Sequence, residues 1–196
     1  MSTPGRPRLK EVGFLTLPGG GRLTVALGDL LTAPCAGIVN AANAHLAHGG
    51  GVAAVIARAA GPELDRQSRE WVACHGPVAP GAAALTGAGV LSFRGVVHAV
   101  GPRWGEGAEE DRLVAALAAA FTVAADLGWP SLAFPAVSAG IFGVPPAVCA
   151  RAYRRAAEGF FAQNPASPLR DLWLCLFPGP LLDEIRRAWG LGDPPE

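Results

Sequence analysis

A chain of 196 residues, 51% of them hydrophobic and 16% charged, is long enough to bury one substantial core and too apolar to stay disordered. Its 16 basic and 16 acidic side chains give a formal net charge of zero, which excludes a nucleic-acid binder driven by a basic surplus. Four scattered cysteines, Cys35, Cys74, Cys149 and Cys175, form no C-x-x-C pair, so neither a zinc site nor a disulfide framework is expected, and each is read as a small buried side chain.

Val12 to Leu17 and Arg22 to Leu27 read as two strands of a hairpin turned by Pro18-Gly19-Gly20-Gly21. Gly37 to Val39 is a short apolar strand that runs into Asn40-Ala41-Ala42-Asn43. Beyond Gly49-Gly50-Gly51, the residues Val52, Val55, Ile56 and Ala59 fall on one helical face, and Gly61-Pro62 ends that helix. A second helix runs from Pro62 to about Cys74. Ala82 to Leu85 and Val96 to Val100 are strands separated by a loop. Leu113, Leu117, Phe121 and Ala124 line one face of a long helix whose acidic start suits the helix dipole. Leu132 to Phe134 is a buried strand. Pro145 and Pro146 open a helix with Val148, Ala152, Ala156 and Phe160 inward and Arg151, Arg154, Arg155 and Glu158 outward. Leu172 to Phe177 is the last strand, and Leu181, Leu182, Ile185 and Trp189 mark a closing amphipathic helix.

Strands alternate with helices after the hairpin, which predicts a three-layer α/β/α fold around a mixed, largely parallel sheet. One domain over residues 9–190 is expected, with loose tails at 1–8 and 191–196. The polar stretch Met1 to Glu11 has no apolar h-region and the longest apolar run, Leu113 to Ala125, is too short to span a bilayer. A soluble cytoplasmic monomer without a membrane partner is the expectation.

Two segments depart from ordinary connectors. One is Val39 to Ala53, with Asn40, Asn43, His45, His48 and three consecutive glycines; the other is Pro135-Ala136-Val137-Ser138-Ala139-Gly140-Ile141-Phe142-Gly143. Each leaves a strand end and enters a helix start, the edge of an open α/β sheet where ligands bind. Glycine lets the backbone approach a ligand closely, and N–H groups at a helix start cradle phosphate without a lysine. The residues alone leave two readings open: ordinary turns, or two loops that grip a nucleotide diphosphate. Gly49-x-Gly51-x-x-Ala54 also fits the dinucleotide fingerprint. That fingerprint requires a tight turn directly after the strand, however, and here the stretch Asn40 to Gly49 intervenes. An NAD-dependent oxidoreductase is therefore disfavoured.

Gly28-Asp29-Leu30, Asn40-Ala-Ala-Asn43, Gly49-Gly-Gly-Val-Ala53 and Ser138-Ala-Gly-Ile-Phe-Gly143 resemble, in order, the signature blocks of the macrodomain family. The similarity runs from about Val12 to about Ile185. It implies binding of ADP-ribose or of ADP-ribosylated protein, and an enzyme that hydrolyses ADP-ribose esters on modified acidic side chains or O-acetyl-ADP-ribose. The alternative is a non-catalytic reader. The resemblance implies that Asp29 accepts a hydrogen bond from the adenine amino group beside Gly28 and the Leu30 backbone, with Phe177 against the ring. Ala42, Gly49, Gly50, Gly51 and Val52 would line the distal ribose and its phosphate. Pro135, Ser138, Ala139, Gly140, Ile141 and Phe142 would form the second phosphate loop. The catalytic set is Asn43, His48, Gly50 and Phe142, with no metal and no cofactor. One hydrolytic group of the family has an aspartate where this chain has Ala53; His48 before the glycines resembles instead the viral members and those attached to some poly-ADP-ribose polymerases. Asn40 is expected to pin the loop backbone, and His98 to be a satisfied strand histidine.

Overall fold

The structure, a computed structural model, describes residues 9–191. Seven strands, β1 (Lys10–Thr16), β2 (Arg22–Leu27), β3 (Gly37–Ala41), β4 (Ala83–Thr86), β5 (Val96–Ala99), β6 (Ser131–Phe134) and β7 (Asp171–Leu176), form one sheet in the order β1-β2-β7-β6-β3-β5-β4. The β1–β2 and β4–β5 pairs are antiparallel. The pairs β2–β7, β7–β6, β6–β3 and β3–β5 are parallel, so the C-terminal ends of five central strands share one edge.

Five helices cover the sheet: α1 (Gly51–Ala60), α2 (Pro62–His75), α3 (Glu109–Asp126), α4 (Pro146–Gln163) and α5 (Pro180–Trp189). Period-two alternation divides the strand residues between two cores. Val39, Val97, Leu132, Phe134 and Leu174 join a core containing residues of α3, α4 and α5. Their neighbours Ile38, Val96, Ala133 and Cys175 join a second core with Ile56, Ala57 and Leu64 of α1 and α2. Both faces of the sheet are apolar because both are covered, which is the predicted three-layer arrangement.

The inward face predicted for α3 is buried in full. On α4, Ala152, Ala156 and Phe160 of the predicted face are buried and Val148 only half-buried, while Cys149, Ala150, Tyr153, Ala157 and Phe161 are buried too, because the helix packs on α3 and α5 as well as on the sheet. On α1 the predicted stripe is displaced. Ala53, Ile56, Ala57 and Ala60 are buried while Val55 is exposed, the small alanines letting the helix lie close to the sheet. The cysteines also divide: Cys149 and Cys175 are buried, Cys35 is half-buried, and Cys74, on the outer surface of α2, is exposed rather than buried. All four are free thiols. The last strand stops at Leu176, one residue before Phe177. Gly190 caps α5 in the left-handed conformation and Leu191 packs beside Gly13, so the expected loose tail does not begin at 191. The remainder of both predicted tails lies outside the described residues. No helix among the described residues is long and apolar enough to cross a membrane.

One core contact reaches the sheet edge directly. The hydroxyl of Tyr153, wholly buried on α4, donates to the carbonyl of Val137 at 2.6 Å. Removing the donor leaves that carbonyl unsatisfied in the core, which costs about 1–3 kcal/mol. Tyr153→Phe should therefore lower the urea midpoint by a corresponding amount with no change in the slope; an unchanged midpoint would show that the bond contributes nothing.

Candidate functional site

Three loops leave adjacent C-terminal strand ends. Residues 42–50 join β3 to α1, residues 100–108 join β5 to α3, and residues 135–145 join β6 to α4. Between them lies a cleft of about 340 Å³. Its first wall is Ala41, Ala42, Asn43, Ala47 and the run Gly49 to Ala53; its second is Ala136, Val137, Ser138, Gly140, Ile141 and Phe142; Gly101 and Arg103 close the end. Of the predicted site residues, Ala42, Asn43, Gly49, Gly50, Gly51, Val52, Ser138, Gly140, Ile141 and Phe142 are brought together here.

The first wall presents backbone. Gly50, the N-cap residue of α1, is extended, and no side chain caps this helix start, so the first-turn N–H groups stand at the cleft. A Cβ on Gly50 or Gly51 would lie 3.5 or 3.6 Å from Cδ1 of Ile141, so the two loops nearly meet across the opening. In the second wall Ser138 adopts φ 66, left-handed backbone that is rare for a non-glycine residue and raises local strain by about 1–3 kcal/mol. Its hydroxyl is buried and has no hydrogen-bond partner. A Cβ on Gly101 would sit 2.1 Å from that oxygen, so only glycine lets the β5 loop lie this close.

Asn43 is committed to its own loop. Its Nδ2 donates to the Ala47 carbonyl at 2.7 Å, and its Oδ1 accepts from the N–H groups of His45 and Ala47, both at 3.1 Å. This leaves one amide N–H for a ligand. His48, expected in the catalytic set, does not line the cleft. Its Nδ1–H donates to Asp65 Oδ1 of α2 at 2.7 Å, and the side chain is 3% exposed. The pull of that carboxylate turns the ring beneath the glycine loop, where it anchors the loop to α2.

Asn40 does not pin the loop backbone. It lies in register with His98 across the β3–β5 pair, and its Nδ2 donates to His98 Nδ1 at 3.1 Å. That donor fixes the tautomer: His98 Nε2–H donates to Thr86 Oγ1 at 2.8 Å, whose hydroxyl passes on to the Gly87 carbonyl. His98 is thus a satisfied strand histidine, as expected, with both nitrogens paired. His45 and His75 are exposed.

The other predicted residues lie along the same edge but outside the cleft. Gly28, Asp29 and Leu30 follow β2, and Phe177 follows its neighbour β7; the Gly28 N–H donates to the Leu176 carbonyl at 2.9 Å. Asp29 Oδ1 accepts from Leu31 N–H at 2.9 Å and so caps a short 3-10 turn. The Leu30 side chain is core. Phe177 is 71% exposed, which removes core packing as its role. Pro135 is buried behind the second loop, and Ala139 packs on the main core; neither lines the cleft. Sequence reasoning missed Gly101 and Arg103, because the β5 loop carries no glycine run; its signal was Gly101-Pro102 directly after a strand parallel to β3.

No cluster of His, Cys, Asp or Glu among the described residues is placed to hold a metal. Arg103 is the one charged residue lining the cleft. Its guanidinium stacks 4.3 Å over the Phe142 ring.

A family model described as Macro domain matches residues 39–153, more than half of the chain. The chain belongs to the macrodomain family. A Pyrobaculum aerophilum protein, uncharacterized, is 47% identical over 86% of this chain and 82% of its own length. An Enterobacter protein named O-acetyl-ADP-ribose deacetylase is 40% identical over 79% of this chain and 86% of its own. Among solved structures, an Oceanobacillus iheyensis macrodomain with ADP superposes with a TM-score of 0.85 at 25% identity, covering 94% of this chain and 97% of that one. Within this macrodomain, the glycine loop and the 138–143 loop form the two main walls of the cleft.

The buried pair beneath the glycine loop makes a pH prediction. Burial, and secondarily the neighbouring His48, push the His98 imidazole down to about 3, from an ordinary value near 6.5. A depressed histidine contributes stability that is full above its unfolded value and is lost as the pH falls through its folded one. Wild type should therefore lose stability between pH 6.5 and 3, this group contributing on the order of 4 kcal/mol. His98→Gln keeps hydrogen-bonding atoms but cannot take the proton, so its urea midpoints should fall less over that range; parallel pH profiles would refute the assignment.

Proposed function

We propose that this macrodomain binds ADP-ribose and hydrolyses ADP-ribose esters, on mono-ADP-ribosylated acidic side chains or in O-acetyl-ADP-ribose. The observation that carries the reading is the cleft between two backbone-donor walls, one of them an uncapped helix start. It offers a diphosphate N–H groups and little fixed charge. The macrodomain relatives named for O-acetyl-ADP-ribose and solved with ADP support the same ligand. The adenine end would be the Phe177 and Asp29 region, one and two strand-widths along the sheet edge from the second loop.

The chemistry would be substrate-assisted. The cleft lining has no carboxylate and no imidazole, and with His48 held by Asp65 the residues supply positioning rather than a base. A water confined by Gly50 and Phe142 would attack the reacting carbon of the ester. A substrate phosphate oxygen would take its proton and pass it to the leaving oxygen as the ester C–O bond breaks, so that the carboxylic acid and free ADP-ribose leave. Asn43 would hold the distal ribose through its remaining amide N–H. The same lack of a side-chain base favours the second reading, a reader that binds without turnover.

Calorimetry should show ADP-ribose binding well above NAD, because a rigid nicotinamide ring fixed directly to the ribose has little room where Ile141 approaches the glycines, whereas a flexible side-chain ester can lead out past them; equal affinities would remove the reading. Release of ADP-ribose from a glutamate-modified protein separates enzyme from reader. In wild type release is expected, and Asn43→Ala should slow it by about 10²-fold through loss of positioning. Binding without any release makes the protein a reader, and full turnover by Asn43→Ala would overturn the mechanism while leaving the enzyme. His48→Ala should retain more turnover than Asn43→Ala.

A further inference from the structure

We propose that Arg103, Trp104 and Ile141 at the mouth of the cleft dock the polypeptide that carries the ligand, so that protein-linked ADP-ribose rather than a small acyl ester is the preferred substrate class. This rests on the ADP-ribose reading above and holds for hydrolase and reader alike.

Most large apolar side chains of this protein are buried, yet Trp104 is 56% exposed and Ile141 is 75% exposed; Ile141 lines the cleft, and Trp104 directly follows Arg103, which also lines it. Ile141 reaches across toward Gly50 and Gly51. Trp104 lies against the same loop, its N–H donating to the Phe142 carbonyl at 2.8 Å and its Cβ side facing Gly143. The apolar rim is therefore continuous with the distal end of the cleft, where a group attached to the ligand must emerge. An acetyl group is too small to cover a tryptophan outside the opening; a polypeptide segment is not.

The rim is also prepared to bind. Glu109 Oε1 accepts from the N–H groups of Gly105 and Gly107 at 2.8 and 2.9 Å, and Glu106 Oε2 accepts from Arg103 N–H at 3.2 Å. Those carboxylates hold the loop in one shape, so little conformational freedom remains to be lost on docking. The Arg103 guanidinium rests on Phe142 and forms no ion pair with any described residue. Its forked donors stay available for the carbonyl oxygens of a bound segment. An exposed tryptophan beside an unpaired arginine is the composition of an interface hot spot.

The test is calorimetry with three probes: free ADP-ribose, a glutamate peptide carrying ADP-ribose through a hydrolysis-resistant linkage, and the same peptide unmodified. Wild type should bind the conjugate about tenfold tighter than free ADP-ribose, the increment of one interface anchor. Trp104→Ala should abolish that increment while free ADP-ribose binds as before, and Trp104→Phe should restore part of it. Equal wild-type affinity for conjugate and free ADP-ribose overturns the proposal and leaves the ADP-ribose reading standing. So does a Trp104→Ala variant that keeps the full increment. If neither probe carrying ADP-ribose binds, the reading itself fails and the docking proposal with it.

Discussion

Most of the cleft lining is glycine, alanine and backbone, with few long side chains to adapt, so its shape depends on the backbone being held to within fractions of an ångström. The rest of this structure is organised around that requirement. The Tyr153 hydroxyl pulls on the Val137 carbonyl from the core, one residue before the strained Ser138. His48 ties the residue before the glycines to α2 through Asp65. Asn43 closes its own loop with three hydrogen bonds. Gly101 permits the third loop to lie against Ser138, and no larger residue could. Each loop of the cleft is thus fixed by a different element, and all three begin at neighbouring parallel strands of one mixed sheet.

The division of labour explains why so much polar machinery sits below the cleft rather than in it. Asn40, His98, Thr86 and His48 form a buried layer under the glycine loop, with Asn40 and His98 in register on adjacent strands. Such a layer is stable only when its members are paired. Asn40 Oδ1 and His48 Nε2 are its two atoms without a partner, and they mark where the loop's support is weakest. Burial keeps His98 neutral, so this support carries hydrogen bonds without placing a charge beneath the glycine loop.

The sheet, its direction and the helix faces were legible in the chain because period-two and period-3.6 patterns survive burial on both sides of a sheet. The two main walls were legible because glycine runs between a strand and a helix are seldom neutral. What was not legible depended on distance. Nothing local to His48 indicates that Asp65, on the next helix but one turn down, would claim its ring, and nothing local to Asn40 points to His98 rather than to the adjacent loop. Arg103 and Gly101 were missed for a related reason: their loop has ordinary composition, and only the parallel pairing of β5 with β3 brings it to the cleft. The displaced stripe on α1 reflects alanine, whose small side chain gives periodicity little to register yet packs closest to the sheet.

Charge placement follows from the same constraint. Uncharged walls lined by N–H groups attract an anion over a short range and leave a neutral molecule neutral overall, consistent with the zero formal charge of the chain. On the proposed hydrolase reading, a lysine at the phosphates would bind more strongly but would hold product as firmly as substrate, because both would carry the same diphosphate. Binding shared by substrate and product contributes nothing to the chemical step and slows release. Selectivity between the two must then come from the part of the substrate that product lacks, the linked group at the distal end. Arg103, the single charged side chain lining the cleft, is stacked on Phe142 and precedes Trp104, where the proposed reading puts that linked group. On that reading, an uncharged cleft for the common part and an anchored cation for the variable part would let a diphosphate site discriminate without trapping its product.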